Sequence, residues 1–400
     1  MPSNRDVSVG PGIYVVAIAG IAYLIVILVQ LPGASRRGDF SIYYACAVAT
    51  RRGLDPYAID MTAFTRELGL EPDPFAHPAD TPTFTLVTTP LAMFSASTAY
   101  AIWIIASATC LVGCMYLLFG TLRGKALLLC FAVLGFTPLA DNFRWAQSQV
   151  FVMFGVLLFF GLMQRGRGRS AGALLAVLGL LRGYPLVLGG YLIARRRWSA
   201  VATMAIAFAS GVAITVAIMG VAPVANFLRI IGVMGVHRWF SLDPRWEIAA
   251  ANVSLDAFLA RLGLAPRGIA FALKIVILAI TFRATMTSSE DRAGRSLSLW
   301  IATMLVLTPV VWLHYLALLV VPFGLIAVAA AHREVSARVW RFAILSYCLI
   351  VITTPLMSTL TFRKDIFDWR TGAVAELGFV ALLTAWVAAW RFASEPSSES

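Results

Sequence analysis

Long apolar runs separated by short basic clusters make up most of this chain. Uncharged stretches cover 7–35, 81–122, 126–140, 145–164, 170–181, 183–194, 198–228, 296–332 and 342–362, with weaker ones at 268–282 and 377–390. A helix needs about 20 apolar residues to cross the hydrocarbon core of a bilayer. The pattern therefore predicts an all-α polytopic membrane protein, a bundle of about 10–13 transmembrane or re-entrant helices. The basic clusters are Arg123/Lys125, Arg165/Arg167/Arg169, Arg195–Arg197, Arg292/Arg295 and Arg333/Arg338/Arg341. The positive-inside rule assigns them to the cytoplasmic face of a plasma membrane.

One stretch conflicts with a simple alternation of spans. Residues 170–194 have three arginines before them and three after, so a single crossing would put one cluster on the wrong side. A hairpin removes the conflict: up through 170–181, a break at Arg182-Gly183-Tyr184-Pro185, and back through 184–194. Each arm is too short for a full crossing, which sets Arg182 at the base of an outward-facing cavity. By the same reasoning 83–95 is a short or re-entrant piece broken near Pro90, ahead of a span at 97–120. A turn at Pro309–His314 separates two further apolar runs.

Both ends of the chain then fall in the cytoplasm, and residues 1–400 read as one integral membrane domain. Two polar segments face outward, a first external loop at 33–82 and a second at 222–266. The first holds seven of the twenty acidic residues, Asp39, Asp55, Asp60, Glu67, Glu71, Asp73 and Asp80, beside five arginines. It is too long for a connector and predicts a catalytic loop with short amphipathic helices. Residues 392–400 are expected to form a disordered cytoplasmic tail.

Composition agrees with this reading: 60% of the 400 residues are hydrophobic and 13% charged, with mean hydropathy +0.82. The net charge of +12 would suggest nucleic acid in a soluble protein. Here it reports basic cytoplasmic loops, so membrane lipids are the expected partners and nucleic acid is not. Of Cys46, Cys110, Cys114, Cys130 and Cys348, most sit in apolar runs, and Cys110 and Cys114 share a helix face without a His or carboxylate companion, the pattern of small buried hydrophobes. Residues 7–35 stay uncharged too long for a cleavable signal and read as a retained first span.

A few polar residues at the apolar boundaries are candidates for chemistry. Asp39, just after the first span, has the placement of a general base for a hydroxyl nucleophile; it equally suits a helix N-cap. Arg182 is a candidate phosphate clamp, or else an arginine snorkelling to the interface. Lys274, inside a weak span, is placed to pair with a carboxylate. His314, between Trp312 and Tyr315, can donate to a phosphate or hydroxyl, or belong to an aromatic belt. Gln147 and Gln149 can hydrogen-bond a sugar or satisfy nearby backbone.

In order, Asp39-Phe40-x-x-Tyr43-Tyr44, Gly53-Leu54-Asp55-Pro56-Tyr57, Gln149-Val150, Arg182-Gly183-Tyr184-Pro185, Arg195-Arg196-Arg197-Trp198, Asn252-Val253-Ser254-Leu255 and Thr308-Pro309-x-x-Trp312-x-His314-Tyr315 resemble the landmarks of glycosyltransferase family 87. These are GT-C type enzymes that use polyprenyl-phosphate sugars, among them mycobacterial mannosyltransferases of phosphatidylinositol mannoside synthesis. The resemblance extends over about residues 12 to 330. It implies an inverting hexosyltransferase, with mannose the leading sugar, acting on a lipid or glycan acceptor at the outer membrane face. It also implies Asp39 as the base and His314 as the histidine of the family's Pro-x-x-Trp-x-His pattern.

Single displacement needs a base at the acceptor hydroxyl and a cationic surround for the departing phosphate. Arg182, Arg51, Arg52, His237 and Arg238 are the expected phosphate-binding residues, and Tyr43, Tyr44, Gln149, Asn252, Ser254, Trp312 and Tyr315 the expected substrate contacts. No cofactor is expected, the lipid-phosphate sugar being a co-substrate. No metal is expected either, because Asp39 has no neighbouring Asp-x-Asp. The competing readings are a transporter or flippase of lipid-linked sugars, for which internal repeats are the usual sign, and a structural envelope subunit. No repeat is visible, and the acidic outer loop favours the enzyme.

Overall fold

In lipid, a backbone has to satisfy its N–H and C=O groups within its own segment, so the apolar runs become helices. The computed structural model describes residues 11–30, 38–71, 80–120, 122, 124–236, 252–264, 267–289, 292–362 and 369–395. The first helices are α1 (Pro11–Gln30), α2 (Gly38–Arg51), α3 (Met61–Glu67), α4 (Pro82–Thr88), α5 (Ala96–Phe119) and α6 (Gly124–Leu134). They are followed by α7 (Thr137–Arg144), α8 (Gln149–Gln164), α9 (Gly168–Arg182), α10 (Gly189–Ala194), α11 (Trp198–Met219) and α12 (Val221–Val236). The last are α13 (Leu255–Arg261), α14 (Arg267–Thr287), α15 (Ala293–Leu307), α16 (Val320–Ala331), α17 (Ala337–Phe362) and α18 (Trp369–Ser394).

Among the described residues six helical stretches are long and apolar enough to cross a membrane: Ala96–Phe119, Trp198–Met219, Gly268–Thr287, Leu313–Ala331, Ala337–Met357 and Ala373–Ser394. Five shorter apolar helices accompany them. Among the described residues there is no strand, only an isolated bridge between Asn252 and Trp312. The result is an all-α, multi-pass membrane protein.

Two compact units divide the chain, one of residues 26–113 and 141–247, the other of 1–25, 114–140 and 248–400. In the first unit, α2 and α3 are the short helices of the acidic segment. Asp60 caps α3 by accepting from Ala63 N at 3.0 Å. Pro90 sits in a 3-10 turn, Thr89–Met93, that separates α4 from α5. An aromatic cluster of Phe40, Tyr43, Phe84, Tyr100 and Trp103 ties α2, α4 and α5 together. Phe151 of α8 packs edge-on to Trp103, with ring centroids 4.9 Å apart.

The hairpin between the two arginine clusters has a clear geometry. Helix α9 ends at Gly183, whose φ of +65° is a conformation that glycine adopts without strain. The chain then returns through a 3-10 turn, Tyr184–Leu188, and α10. Gly172 of α9 lies under the backbone of Ala200, and Gly211 of α11 receives the side chain of Leu180. Because 172 matches 200 and 180 matches 211, α9 and α11 run parallel, packed through small residues. The two arginine clusters, each just ahead of one of these helices, therefore share one end of the unit. Past α11, Gly220 turns the chain straight into α12, so the segment 222–266 is helical from its start to 236 and again at 255–261.

In the second unit α15 is almost wholly buried, with Leu297, Leu299, Trp300, Met304 and Leu305 at 0% exposure. Buried hydroxyls link it to its neighbours: Trp300 Nε1 donates to Thr285 Oγ1 at 2.8 Å, and Trp386 Nε1 to Thr303 Oγ1 at 2.9 Å. In an apolar surround such bonds hold helices that hydrophobicity alone does not distinguish from lipid. Lys274 pairs with Asp256, the carboxylate partner its position inside an apolar helix calls for.

Candidate active site

Asp39 lies in the first turn of α2 and is half-buried. The helix starts at Gly38, where φ is +68° and an added Cβ would stand 3.0 Å from the Trp145 ring. The backbone conformation favours glycine immediately before the carboxylate, and the tryptophan leaves little room for a side chain there. Gln147, in the turn that leads into α8, donates its amide to Asp39. Its carbonyl accepts from the Tyr43 hydroxyl at 3.1 Å, and that hydroxyl in turn accepts from Arg182 Nη2 at 2.7 Å.

The polarity of this chain of bonds is fixed. A guanidinium only donates, and the acceptor within reach of the Tyr43 proton is Gln147 Oε1. Gln147 must present its oxygen to Tyr43 and its N–H to Asp39. Arg182 also donates to Ser148 through Nε and pairs with Asp80 through Nη1. Its guanidinium lies 4.8 Å from the Phe84 ring centroid and 5.5 Å from that of Tyr43, within cation–π range. Burial pushes the Asp80 carboxyl above its ordinary range, opposed by the adjacent Arg182 charge. It pushes the Tyr43 phenol up as well, which keeps it a neutral donor.

The surroundings hold this arrangement in place. Tyr57 donates to the Asp80 carbonyl at 2.8 Å and shares a hydrogen bond with Thr85 Oγ1 at 3.0 Å. Thr81 Oγ1 bonds the Leu180 carbonyl at the end of α9. Gln149, fully buried, accepts from the Tyr184 hydroxyl, while its backbone N–H donates to Asn142 Oδ1 at 3.1 Å.

Other expected site residues of this unit have local partners. Tyr44 donates to the Phe94 carbonyl at 2.8 Å, Arg51 donates to the Ala92 carbonyl at 2.5 Å, and exposed Arg52 pairs with Glu67 at 2.7 Å. His237 and Arg238 lie outside the described residues.

In the other unit two landmark segments meet. Asn252 Oδ1 accepts from Val311 N at 3.0 Å and from Ser254 N at 3.2 Å, and Val253 N donates to the Val311 carbonyl at 2.8 Å. The bridge to Trp312 follows, and His314 stands next to Tyr315 with ring centroids 5.0 Å apart in a 3-10 helix, Leu313–Leu319. Ser254 caps α13, accepting from Ala257 N at 3.1 Å. Asn252 and Ser254, expected as substrate contacts, thus join two chain segments and start a helix. Arg261 donates to the Asn252 carbonyl at 2.9 Å and pairs with Glu376 at 2.6 Å. Among the described residues no group of three His, Cys, Asp or Glu side chains is arranged to hold a metal ion.

Asp80, Ser148 and the central part of Gln147 were not anticipated from the sequence. An arginine at the tip of an apolar hairpin does signal a missing counter-ion. Choosing Asp80 among seven loop acids takes the fold.

A family model described as glycosyltransferase family 87 matches residues 80–309, more than half of the chain. The chain belongs to that family. Membership makes this family 87 protein an enzyme, a hexosyltransferase of GT-C type, and sets aside the transporter and structural-subunit readings. The matched stretch starts at Asp80 and takes in Gln147, Gln149, Arg182, Asn252 and Ser254, while Asp39 precedes it and His314 follows it. No curated protein matches the chain. A crystal structure of ArnT from Cupriavidus metallidurans bound to undecaprenyl phosphate is similar at 14% identity, covering 94% of this chain and 77% of that one, with a TM-score of 0.38.

Proposed function

We propose that this family 87 enzyme moves a hexose, mannose in the first instance, from a polyprenyl-phosphate-linked sugar to a hydroxyl of a lipid or glycan acceptor at the outer face of the plasma membrane. Asp39 is the general base. The observation that carries this reading is the one-way chain of hydrogen bonds that ends on its carboxylate.

In the reaction the acceptor O–H gives its proton to Asp39 as its oxygen bonds to the anomeric carbon of the sugar. The bond from that carbon to the phosphate oxygen breaks, and its electron pair leaves with the lipid phosphate. A single displacement inverts the anomeric centre. A phosphate monoester leaves readily, so the protein needs to orient the base and stabilise charge more than to supply a strong acid. Arg182, expected as a clamp on that phosphate, is bonded to Asp80, Ser148 and Tyr43, a setting suited to holding the base's surroundings in place.

The donor class is tested by incubating the purified protein with polyprenyl-phosphate-mannose or with a nucleotide-linked mannose, each with a membrane lipid extract. Transfer from the lipid-linked sugar alone is the expected result. Transfer that depends on the nucleotide sugar would overturn the donor assignment.

A further inference from the structure

We propose that Gln147 is a positioning residue for Asp39, its amide oriented by Tyr43 and Arg182, with Asp80 as the anchor of the series. The inference rests on the reading of Asp39 as the base and extends it to the residues bonded behind that carboxylate.

A side-chain amide can flip end for end at little intrinsic cost, and a flipped Gln147 would set its oxygen against the Asp39 carboxylate. Tyr43 prevents this. Its hydroxyl oxygen accepts from Arg182 Nη2, and among the described residues the acceptor placed for its proton is Gln147 Oε1, at 3.1 Å; a flip would exchange that acceptor for a donor. Arg182 is itself held by Ser148 and by Asp80, with only 10% and 11% of the Arg182 and Asp80 side chains exposed. Gln147 is 3% exposed, so water does not compete for its amide.

Four elements contribute to the series. Asp39 and Tyr43 come from α2, Gln147 and Ser148 from the turn before α8, Arg182 from the end of α9, and Asp80 from just ahead of the Thr81 cap of α4. Gln147 itself is bonded to Asp39 and Tyr43, and the charged groups that act on Tyr43 are Arg182, Asp80 and Asp39. Gln147 thus fixes which way the Asp39 carboxylate is turned, and a base turned out of line loses rate without losing substrate.

The substitution Gln147→Glu separates this role from simple space filling, since glutamate keeps the shape of glutamine. While the introduced carboxyl carries a proton, it donates to Asp39 as the amide does. Once that proton is lost, two carboxylates face each other and the alignment goes.

Turnover of polyprenyl-phosphate-mannose with membrane lipid extract is followed against pH for the wild type, Gln147→Glu, Gln147→Leu and Asp39→Asn. We expect Gln147→Glu to show a new alkaline limb, with activity near the wild type at low pH and a loss of about tenfold or more as pH rises. Gln147→Leu loses about 10- to 100-fold in kcat at a KM within about twofold of the wild type. If Asp39→Asn is inactive while the Gln147→Glu profile runs parallel to the wild type at every pH, the positioning role falls and the base stands. If Asp39→Asn turns over normally, the base assignment and the positioning role fall together.

Discussion

Arg182 and Asp80, 102 residues apart in the chain, form an ion pair that leaves only about a tenth of either side chain exposed. Two charges taken out of water gain little as a pair, yet removing one strands the other, at a cost of about 3–5 kcal/mol. Asp80→Ala and Arg182→Ala are each expected to lower thermal stability by several degrees in detergent. The double variant is expected to cost clearly less than the sum of the two, which a double-mutant cycle measures. Additive losses would mean that the pair is not coupled.

Packing of α9 on α11 gives a second expectation. A methyl group at Gly172 would collide with the backbone oxygen of Ala200, whereas one at Gly168 would meet only the Ala200 Cβ at 3.8 Å. Gly172→Ala should therefore cost about 1–3 kcal/mol, and Gly168→Ala should leave the melting temperature within a degree or two. Thermal melts of the two purified variants decide it.

The same packing has a topological consequence. With α9 and α11 parallel, Gly166 and Arg196 stand at one end of the unit, although a helix and its return segment separate them in the chain. Single cysteines at these positions, in a background without the five native ones, should react with an impermeant maleimide from the same side of sealed vesicles. Labelling from opposite sides would rule out the hairpin.

Asn252 joins Ser254 to Val311 through one carboxamide oxygen. Asn252→Ala leaves two buried N–H groups without that acceptor, at about 1–3 kcal/mol for each lost partner. Asn252→Asp keeps an oxygen in that place. Melting temperatures are expected to fall for alanine and to recover, at least in part, for aspartate.

Much of the architecture was legible because lipid leaves the backbone few options. Apolar runs had to be helices, and three arginines on either side of 170–194 required a return, which Gly183 and Pro185 permit. Boundaries between polar and apolar sequence also singled out Asp39, Gln149 and Arg182, and the family resemblance added Tyr43. What neither could give was their pairing. The Arg182–Asp80 contact and the meeting of Asn252 with Trp312 join segments that no local rule connects. Ser254 shows the limit from the other side: a serine just ahead of an apolar run is an N-cap by local chemistry, and the cap is what the structure shows.

The central claim is that the Asp39 carboxylate takes the acceptor's proton. Its most direct test is the turnover number of Asp39→Asn with polyprenyl-phosphate-mannose and membrane lipid extract, measured on protein whose melting temperature matches the wild type. Asparagine keeps an oxygen for the Gln147 amide and removes only the basicity, so kcat should fall by about 10²- to 10⁴-fold. A turnover number within a few-fold of the wild type would contradict the account.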